Sequence, residues 1–341
     1  MFIHIIANCN HAVSLAKCLR QIDAHEEHII FIKDVRYHSQ DYMSEVVKNF
    51  PSTRLLSGNL NITKSECVII HGIFSNEDFN ILSALLNMEI KVVWNVWGGD
   101  SRLMGNAELL PTLNRISYLF CAPGELLRYP DMIVPVINCN LYNAGLDDKS
   151  AFVSMKEKLI VLGNSADPSN NHEYLLSLIG KFTSYRFVIP FSYNATNDYM
   201  LRIQGLLREY SLEDRVDIIT RMLSFSDYAD LLRKAKAVFF AHNRQQGLGT
   251  ARLAYELGCQ VFMKKIIKQA IDIPTQVNPG YIDLVQMGYV DIHEITIIEH
   301  MTEDEFSIFT ANRINALPEL ANNSPREVSR IFSVLKRELW R

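Results

Sequence analysis

Residues 237–263 read AVFFAHNRQQGLGTARLAYELGCQVFM, which parses as a strand, a polar turn, a short helix and a second strand. Val238, Phe239 and Phe240 form an unbroken apolar run, the pattern of a strand buried on both faces of a parallel sheet. Residues 242–249 then supply polar groups and two glycines. The spacing predicts a helix with Thr250 as N-cap, Leu253, Ala254 and Leu257 on its inner face, and Gly258 as its stop. Such a turn leaves unpaired backbone N–H groups at the positive end of a helix dipole, a ready seat for phosphate. Arg244, Gln245, Gln246, Gly247, Gly249 and Thr250 together suit a diphosphate better than a lone carboxylate. The plain alternative is that the two glycines only make a tight βα turn. A dinucleotide fingerprint is disfavoured, because Arg252 stands where its third glycine belongs.

On both sides of this stretch, strands alternate with helices. In the first half, strands are expected at residues 2–7 (FIHIIA), 28–33 (HIIFIK), 67–71 (CVIIH), 91–97 (KVVWNVW) and 118–121. Helices are expected at 12–22, 42–49, 78–87 and 107–116. In the second half, strands at 158–162 (KLIVL), 185–190 and 216–219 alternate with helices at 173–180, 198–210 and 226–235. The pattern weakens at 138–149 (NCNLYNAGLDDK), the best candidate linker. This alternation predicts an α/β chain of two Rossmann-like domains, 1–145 and 146–320. Residues 321–341 then close the chain with an amphipathic helix. Ser324-Pro325-Arg326-Glu327 reads as a capping box, and Val328, Ile331, Phe332, Leu335 and Leu339 trace one face. Its other face carries Arg326, Arg330, Lys336, Arg337 and Arg341. Packing on the body and contact with an anionic lipid surface are the two readings of this helix.

At 341 residues and 48% hydrophobic content the chain can build two cores. A net charge of −4 provides no basic field for nucleic acid. The six cysteines are scattered without a C-x-x-C pair and read as reduced core residues of a cytosolic protein. The opening strand has no basic region before it, which argues against a signal peptide. No stretch approaches the roughly 18 apolar residues of a membrane helix, so any membrane contact is expected to be peripheral.

Chemistry is expected where strands end. Loops 163–172 and 242–250 are polar and contain glycine, and such loops lie at the carboxyl edge of a parallel sheet, where ligands bind. Gly163, Asn164 and Ser165 can serve a phosphate or sugar. Glu256, in the last turn of its helix, either meets a ligand hydroxyl or pairs with Arg252. In the first half, His71 and Asp100 each follow a buried strand. Asp100 could take a proton from an attacking hydroxyl, with N-capping as its structural alternative, and His71 could do the same or bind phosphate. No H-E-x-x-H, D-x-D, G-x-S-x-G or Walker-type loop is present, so neither a metal nor a cofactor is expected.

The segments 161–172 (VLGNSADPSNNH) and 244–250 (RQQGLGT), with Val188-Ile189-Pro190, Phe225-Ser226-Asp227-Tyr228 and Trp97-Gly98-Gly99-Asp100, resemble the TDP-Fuc4NAc:lipid II Fuc4NAc transferases of enterobacterial common antigen assembly. The resemblance is strongest over 158–258. It implies a GT-B architecture of two Rossmann-like domains facing a cleft, with a C-terminal helix returning to the first domain. It further implies a metal-independent hexosyltransferase, peripheral at the cytoplasmic face of the bacterial inner membrane. Such an enzyme moves 4-acetamido-4,6-dideoxygalactose from a TDP-sugar to an undecaprenyl-diphosphate-linked glycan. The second domain would hold the donor and the first the lipid-linked acceptor. The chain departs from the family pattern at Glu256 and at Gly98-Gly99, changes that would accompany a different sugar. Alternatives are O-antigen synthesis with another nucleotide sugar, a nucleotide-sugar epimerase or dehydrogenase, and a non-catalytic module that holds lipid-linked glycans.

Overall fold

A computed structural model describes residues 1–23, 25–36, 41–57, 62–121, 123–126, 129–139, 141–142, 156–242, 246–267, 276–311 and 325–340. The chain divides into two compact units, one formed by Met1–Gly145 with Leu320–Arg341 and the other by Leu146–Glu319.

The first unit is a parallel sheet of β1 (Phe2–Asn8), β2 (His28–Arg36), β3 (Thr53–Leu55), β4 (Cys67–His71), β5 (Lys91–Asn95), β6 (Tyr118–Phe120) and β7 (Val136–Ile137). Their order is β3-β2-β1-β4-β5-β6-β7. The helices are α1 (Asn10–Arg20), α2 (Met43–Asn49), α3 (Asn76–Asn87), α4 (Leu110–Leu113) and α5 (Pro123–Leu126). Every residue of β1 and of β4 is buried, so these strands can be apolar on both faces. The α3 helix starts on a full capping box between Ser75 and Asp78.

Several boundaries differ from the sequence expectation. The strand expected to reach Trp97 ends at Asn95, and the chain curls because the Trp97 backbone N–H donates to Asp100 Oδ1 at 2.8 Å. The helix expected over 107–116 shrinks to α4, since Pro111 is tolerated only in a first turn. In the expected linker, Cys139 and Leu141 are buried in the first core and Tyr142 packs against it. The first unit therefore runs at least to Tyr142, and the rest of that segment lies outside the described residues.

The second unit repeats the plan with β8 (Glu157–Leu162), β9 (Arg186–Pro190), β10 (Val216–Ile219), β11 (Ala235–Phe240) and β12 (Gln260–Met263), the short pair β13 (Ile266–Ile267) and β14 (Gln276–Val277), and β15 (Ile292–Glu294). The main sheet runs β10-β9-β8-β11-β12-β15. Its helices are α6 (His172–Ile179), α7 (Asn197–Glu209), α8 (Phe225–Lys234), α9 (Leu248–Glu256), α10 (Pro279–Gln286) and α11 (Glu303–Ala311). The expected N-cap of α9 is corrected. Gly247 holds that position with φ 65°, so the turn bends into the helix earlier and Thr250 falls in the first turn. The closing helix, α12 (Pro325–Leu339), belongs to the first unit. Val328, Ile331, Phe332, Leu335 and Leu339 are buried in the first core beside Phe2 and Val13. Ser324, the expected cap, lies outside the described residues.

In each sheet the strand order reverses once, between β1 and β4 and again between β8 and β11. A parallel sheet opens a crevice at that point, at the carboxyl ends of its strands.

Candidate active site

At the reversal point of the second unit, the loops after β8 and β11 are stitched together. Gly163 ends β8 with its N–H donating to the Phe239 carbonyl at 2.9 Å. The Asn164 N–H donates to Asn170 Oδ1 at 2.9 Å, and the Asn170 amide donates to Ser165 Oγ at 3.0 Å. Gln246 crosses between the loops: its Nε2 donates to Ser165 Oγ at 3.0 Å, and Ser169 Oγ donates to its Oε1. Asp167 holds the bend by accepting from the Ser169 N–H at 2.9 Å. Two buried residues underpin the seam, Asn170 and His242, joined at 3.0 Å.

This framework presents the first turn of α9. The Ala251 N–H bonds to the Gly247 carbonyl at 2.8 Å, and the N–H groups of Leu248, Gly249 and Thr250 precede that first helical bond. Gly247 needs its glycine, because a Cβ there would lie 2.7 Å from His242 Cε1. Gly249 is different. Among the described residues, a Cβ built on it meets nothing within 4 Å, and its φ is ordinary. No described residue accounts for a glycine there. The sequence-derived set Gly163, Asn164, Ser165, Gln246, Gly247, Gly249 and Thr250 thus gathers at one edge, while Arg244 and Gln245 lie outside the described residues. Glu256 is elsewhere, at the far end of α9. It neither pairs directly with Arg252 nor faces the turn: the Tyr289 hydroxyl donates to Glu256 Oε1 at 3.0 Å and accepts from Arg252 Nε at 3.2 Å.

At the reversal point of the first unit, Asp100 and His71 prove to be interior groups. Asp100 is fully buried. It accepts from the Ile73 N–H at 3.1 Å, the Trp94 indole at 2.9 Å and the Trp97 N–H at 2.8 Å. Burial pushes its carboxyl up to about 6, against the pull of those donors. It ties three segments of the edge together and does not cap with its side chain. His71 is 1% exposed, its two ring nitrogens facing His4 and Tyr142. Burial, then the Lys33 charge, pushes it down to about 3, so it is a neutral imidazole. Neither residue reaches the protein surface.

His11, in the first turn of α1 directly after β1, is an exposed titratable group at this edge. Its ring stacks on Trp97 (centroids 4.5 Å, 28°) and meets the edge of Tyr142 (5.0 Å, 87°). Sequence reasoning passed over both. His11 had the same signal as the other candidates, a polar residue just past a buried strand, while Tyr142 was hidden in the apparent linker. Among the described residues, no group of three or more His, Cys, Asp or Glu is placed to hold a metal ion, and no helix is long and apolar enough to cross a membrane.

The chain is similar in fold to solved glycosyltransferases. A glycosyltransferase from Rickettsia africae ESF-5 superposes with a TM-score of 0.63 at 12% identity, over 100% of this chain and 98% of that one. The UDP-forming alpha,alpha-trehalose-phosphate synthase of Burkholderia vietnamiensis gives 0.61 at 10%, over 99% and 100%. The UDP-GlcNAc 2-epimerase of Neisseria meningitidis gives 0.52 at 15%, over 100% of each chain. These likenesses set the fold as GT-B, two Rossmann-like parallel-sheet domains. They do not separate transfer from epimerisation, because the epimerase shares the fold. The family does. A sequence model of the 4-alpha-L-fucosyltransferase glycosyl transferase group 56 matches residues 12–288, and with most of its 341 residues matched the chain belongs to that family of glycosyltransferases, which move a sugar from a nucleotide donor to a glycan acceptor.

Proposed function

We propose that the protein transfers a 4-acetamido-4,6-dideoxyhexose from a TDP-sugar to an undecaprenyl-diphosphate-linked oligosaccharide in bacterial surface polysaccharide synthesis. The observation that carries the donor half is Gly249. It stands in the first turn of a helix, where glycine is a poorer helix former than alanine, and the described residues leave room for a side chain. A ligand lying on the amides of Leu248, Gly249 and Thr250 accounts for that room. A diphosphate fits it, because the amides and the helix dipole favour negative charge. Arg244, two residues before Gln246 in the sequence, adds the formal charge that a departing diphosphate needs.

On the acceptor side, His11 replaces Asp100 and His71 as the base. Its imidazole is exposed at the carboxyl edge of the first sheet, whereas the other two are enclosed. In the step, the acceptor hydroxyl gives its proton to His11 and its oxygen bonds to the sugar carbon. The bond from that carbon to the diphosphate breaks, and TDP leaves with the electron pair. Asp100 and His71 keep the edge in shape. A lipid-linked acceptor would bring the protein to the inner membrane as a peripheral enzyme. The exposed Arg326 and Arg337 of α12 are available to anionic headgroups there, with Arg337 beside Glu338.

The test is a thermal shift of the full chain against TDP, UDP, GDP and NAD, with and without a chelator. A ligand that binds only the folded state raises the melting temperature with occupancy. A shift with TDP alone that survives the chelator is the expected result. A preference for UDP or GDP overturns the TDP donor. With UDP-GlcNAc as the probe, epimerised product and no transfer would favour the chemistry of the Neisseria relative.

A further inference from the structure

Three neighbouring strands of the first sheet each contribute a buried histidine to one line. His28 on β2, His4 on β1 and His71 on β4 are 2%, 0% and 1% exposed. His28 Nδ1 lies 2.9 Å from His4 Nε2, and His4 Nδ1 lies 2.9 Å from His71 Nε2. His71 Nδ1 meets the Tyr142 hydroxyl. The rings stack along the line with centroids 5.2 Å apart, and Phe2 and Phe332 pack against its His28 end. The charged and titratable neighbours are the Met1 amino group and His25 beside His28, and Lys33 and His11 beside His71. Among the described residues, no carboxylate bonds to any of the three. Burial pushes all three well down, His28 and His71 to about 3, so each is neutral, with one donor and one acceptor nitrogen.

Tyr142 sets the direction of the line. Its oxygen accepts from the Trp97 indole N–H and from the Asn95 amide at 3.0 Å. Those bonds occupy its two lone pairs, so its own hydrogen goes to His71 Nδ1. The Asn95 amide, 3.2 Å from that same nitrogen, is also a donor and agrees with an acceptor there. His71 must then carry its hydrogen on Nε2 and donate to His4 Nδ1. By the same logic His4 donates to His28 Nδ1. With two donors already on the Tyr142 oxygen, the line is directed one way and is not built as a relay. What it can do is orient.

We propose that His28, His4 and His71 are positioning residues, a one-way chain of imidazoles each protonated on Nε2, which holds the Tyr142 ring as the wall for Trp97 and His11. The inference rests on the reading that this edge receives the acceptor. It deepens that reading by assigning the orientation of His11 to residues that never touch substrate. Each imidazole in the line satisfies the next, which offsets the cost of burying it, and the line supplies a direction that aliphatic side chains could not.

The first experiment is ¹⁵N NMR of the imidazoles in the full chain at pH 7, without substrate. Three neutral Nε2–H tautomers are expected, and an Nδ1–H or charged His71 overturns the proposal. Kinetics then read the consequence. Tyr142→Phe and His28→Phe are each expected to lower kcat roughly tenfold with the donor KM unchanged, the size typical of lost outer-shell support. His28→Gln keeps an acceptor for His4 and is expected to stay within about twofold of the parent. Equal losses in His28→Phe and His28→Gln, or an unchanged kcat in Tyr142→Phe, overturn positioning. A parent protein with the expected tautomers but no transfer activity would instead sink the transferase reading and leave the direction of the chain standing.

Discussion

Gly247 and Gly249 stand two residues apart and respond oppositely to a methyl group. At Gly247, φ is 65° and a Cβ would press within 2.7 Å of His242 Cε1, so Gly247→Ala is expected to destabilise the fold by on the order of 1–3 kcal/mol. At Gly249 the same change meets open space and improves helix propensity. Gly249→Ala is therefore expected to hold or raise the melting temperature while weakening TDP binding, as titration calorimetry would show. Unchanged TDP affinity in that variant would mean that the diphosphate does not lie on this turn. The sequence makes both glycines visible, but only the structure separates the one that the backbone requires from the one that it does not. Asp100 carries a related lesson. A carboxylate just past a buried strand reads as a catalytic group, yet three protein donors enclose it. Those donors include the Trp94 indole and the Ile73 N–H, whose approach no local pattern records.

Elements were legible where they are long or continuous. The runs FIHIIA, CVIIH, KLIVL and AVFF lie in four inner strands, and VSRIFSVLKREL displays the period of α12 without ambiguity. Two- and three-residue edge strands such as β7 and β3 carry no period to read. The segment around Tyr142 reads as a linker because asparagines break its apolar pattern. For the same reason its contacts with His11, His71 and Trp97, all far away in sequence, are invisible there. The membrane reading of α12 has to share the helix with its structural role, since its apolar face is consumed by the first core. Leu335, fully buried, is the sharpest probe of that role. Leu335→Ala is expected to cost about 2–5 kcal/mol in urea denaturation. A cost under about 1 kcal/mol, the range of surface positions, would show that α12 does not complete the core.

For the whole molecule, the two units differ in how they tolerate acid. In the first, His4, His28 and His71 have folded pKa values well below the usual 6.5. Between about pH 6.5 and 3 the unfolded chain binds more protons at these sites, so their stabilisation is present above 6.5 and is lost as pH falls. Asp100 works the other way, since its folded value of about 6 exceeds the usual 3.8. Three groups against one, at roughly 1.4 kcal/mol per pH unit each, leave a net loss on acidification. In the second unit the comparable groups are two, His172, pushed down to about 4, and the half-buried His293, pushed down by burial, with no raised carboxyl such as Asp100 among the groups with a resolved shift. Hydrogen exchange read by mass spectrometry from pH 7 to 5 is expected to show opening in the first unit first, and earlier opening of the second would contradict it. The order of the two sheets has its own logic, legible once the alternation of strands and helices is seen, but the assignment of α12 to the first unit is not. That assignment bears on how the chain is made. A ribosome releases Met1–Gly145 well before Leu320–Arg341. At about 5–20 residues per second, the intervening unit delays the closing helix by on the order of ten seconds or more. Throughout that time the first sheet lacks the cover of Val328, Phe332 and Leu335. The domain that starts first is thus finished last, and a nascent chain halted anywhere in its second half leaves part of an apolar sheet uncovered to chaperones and proteases.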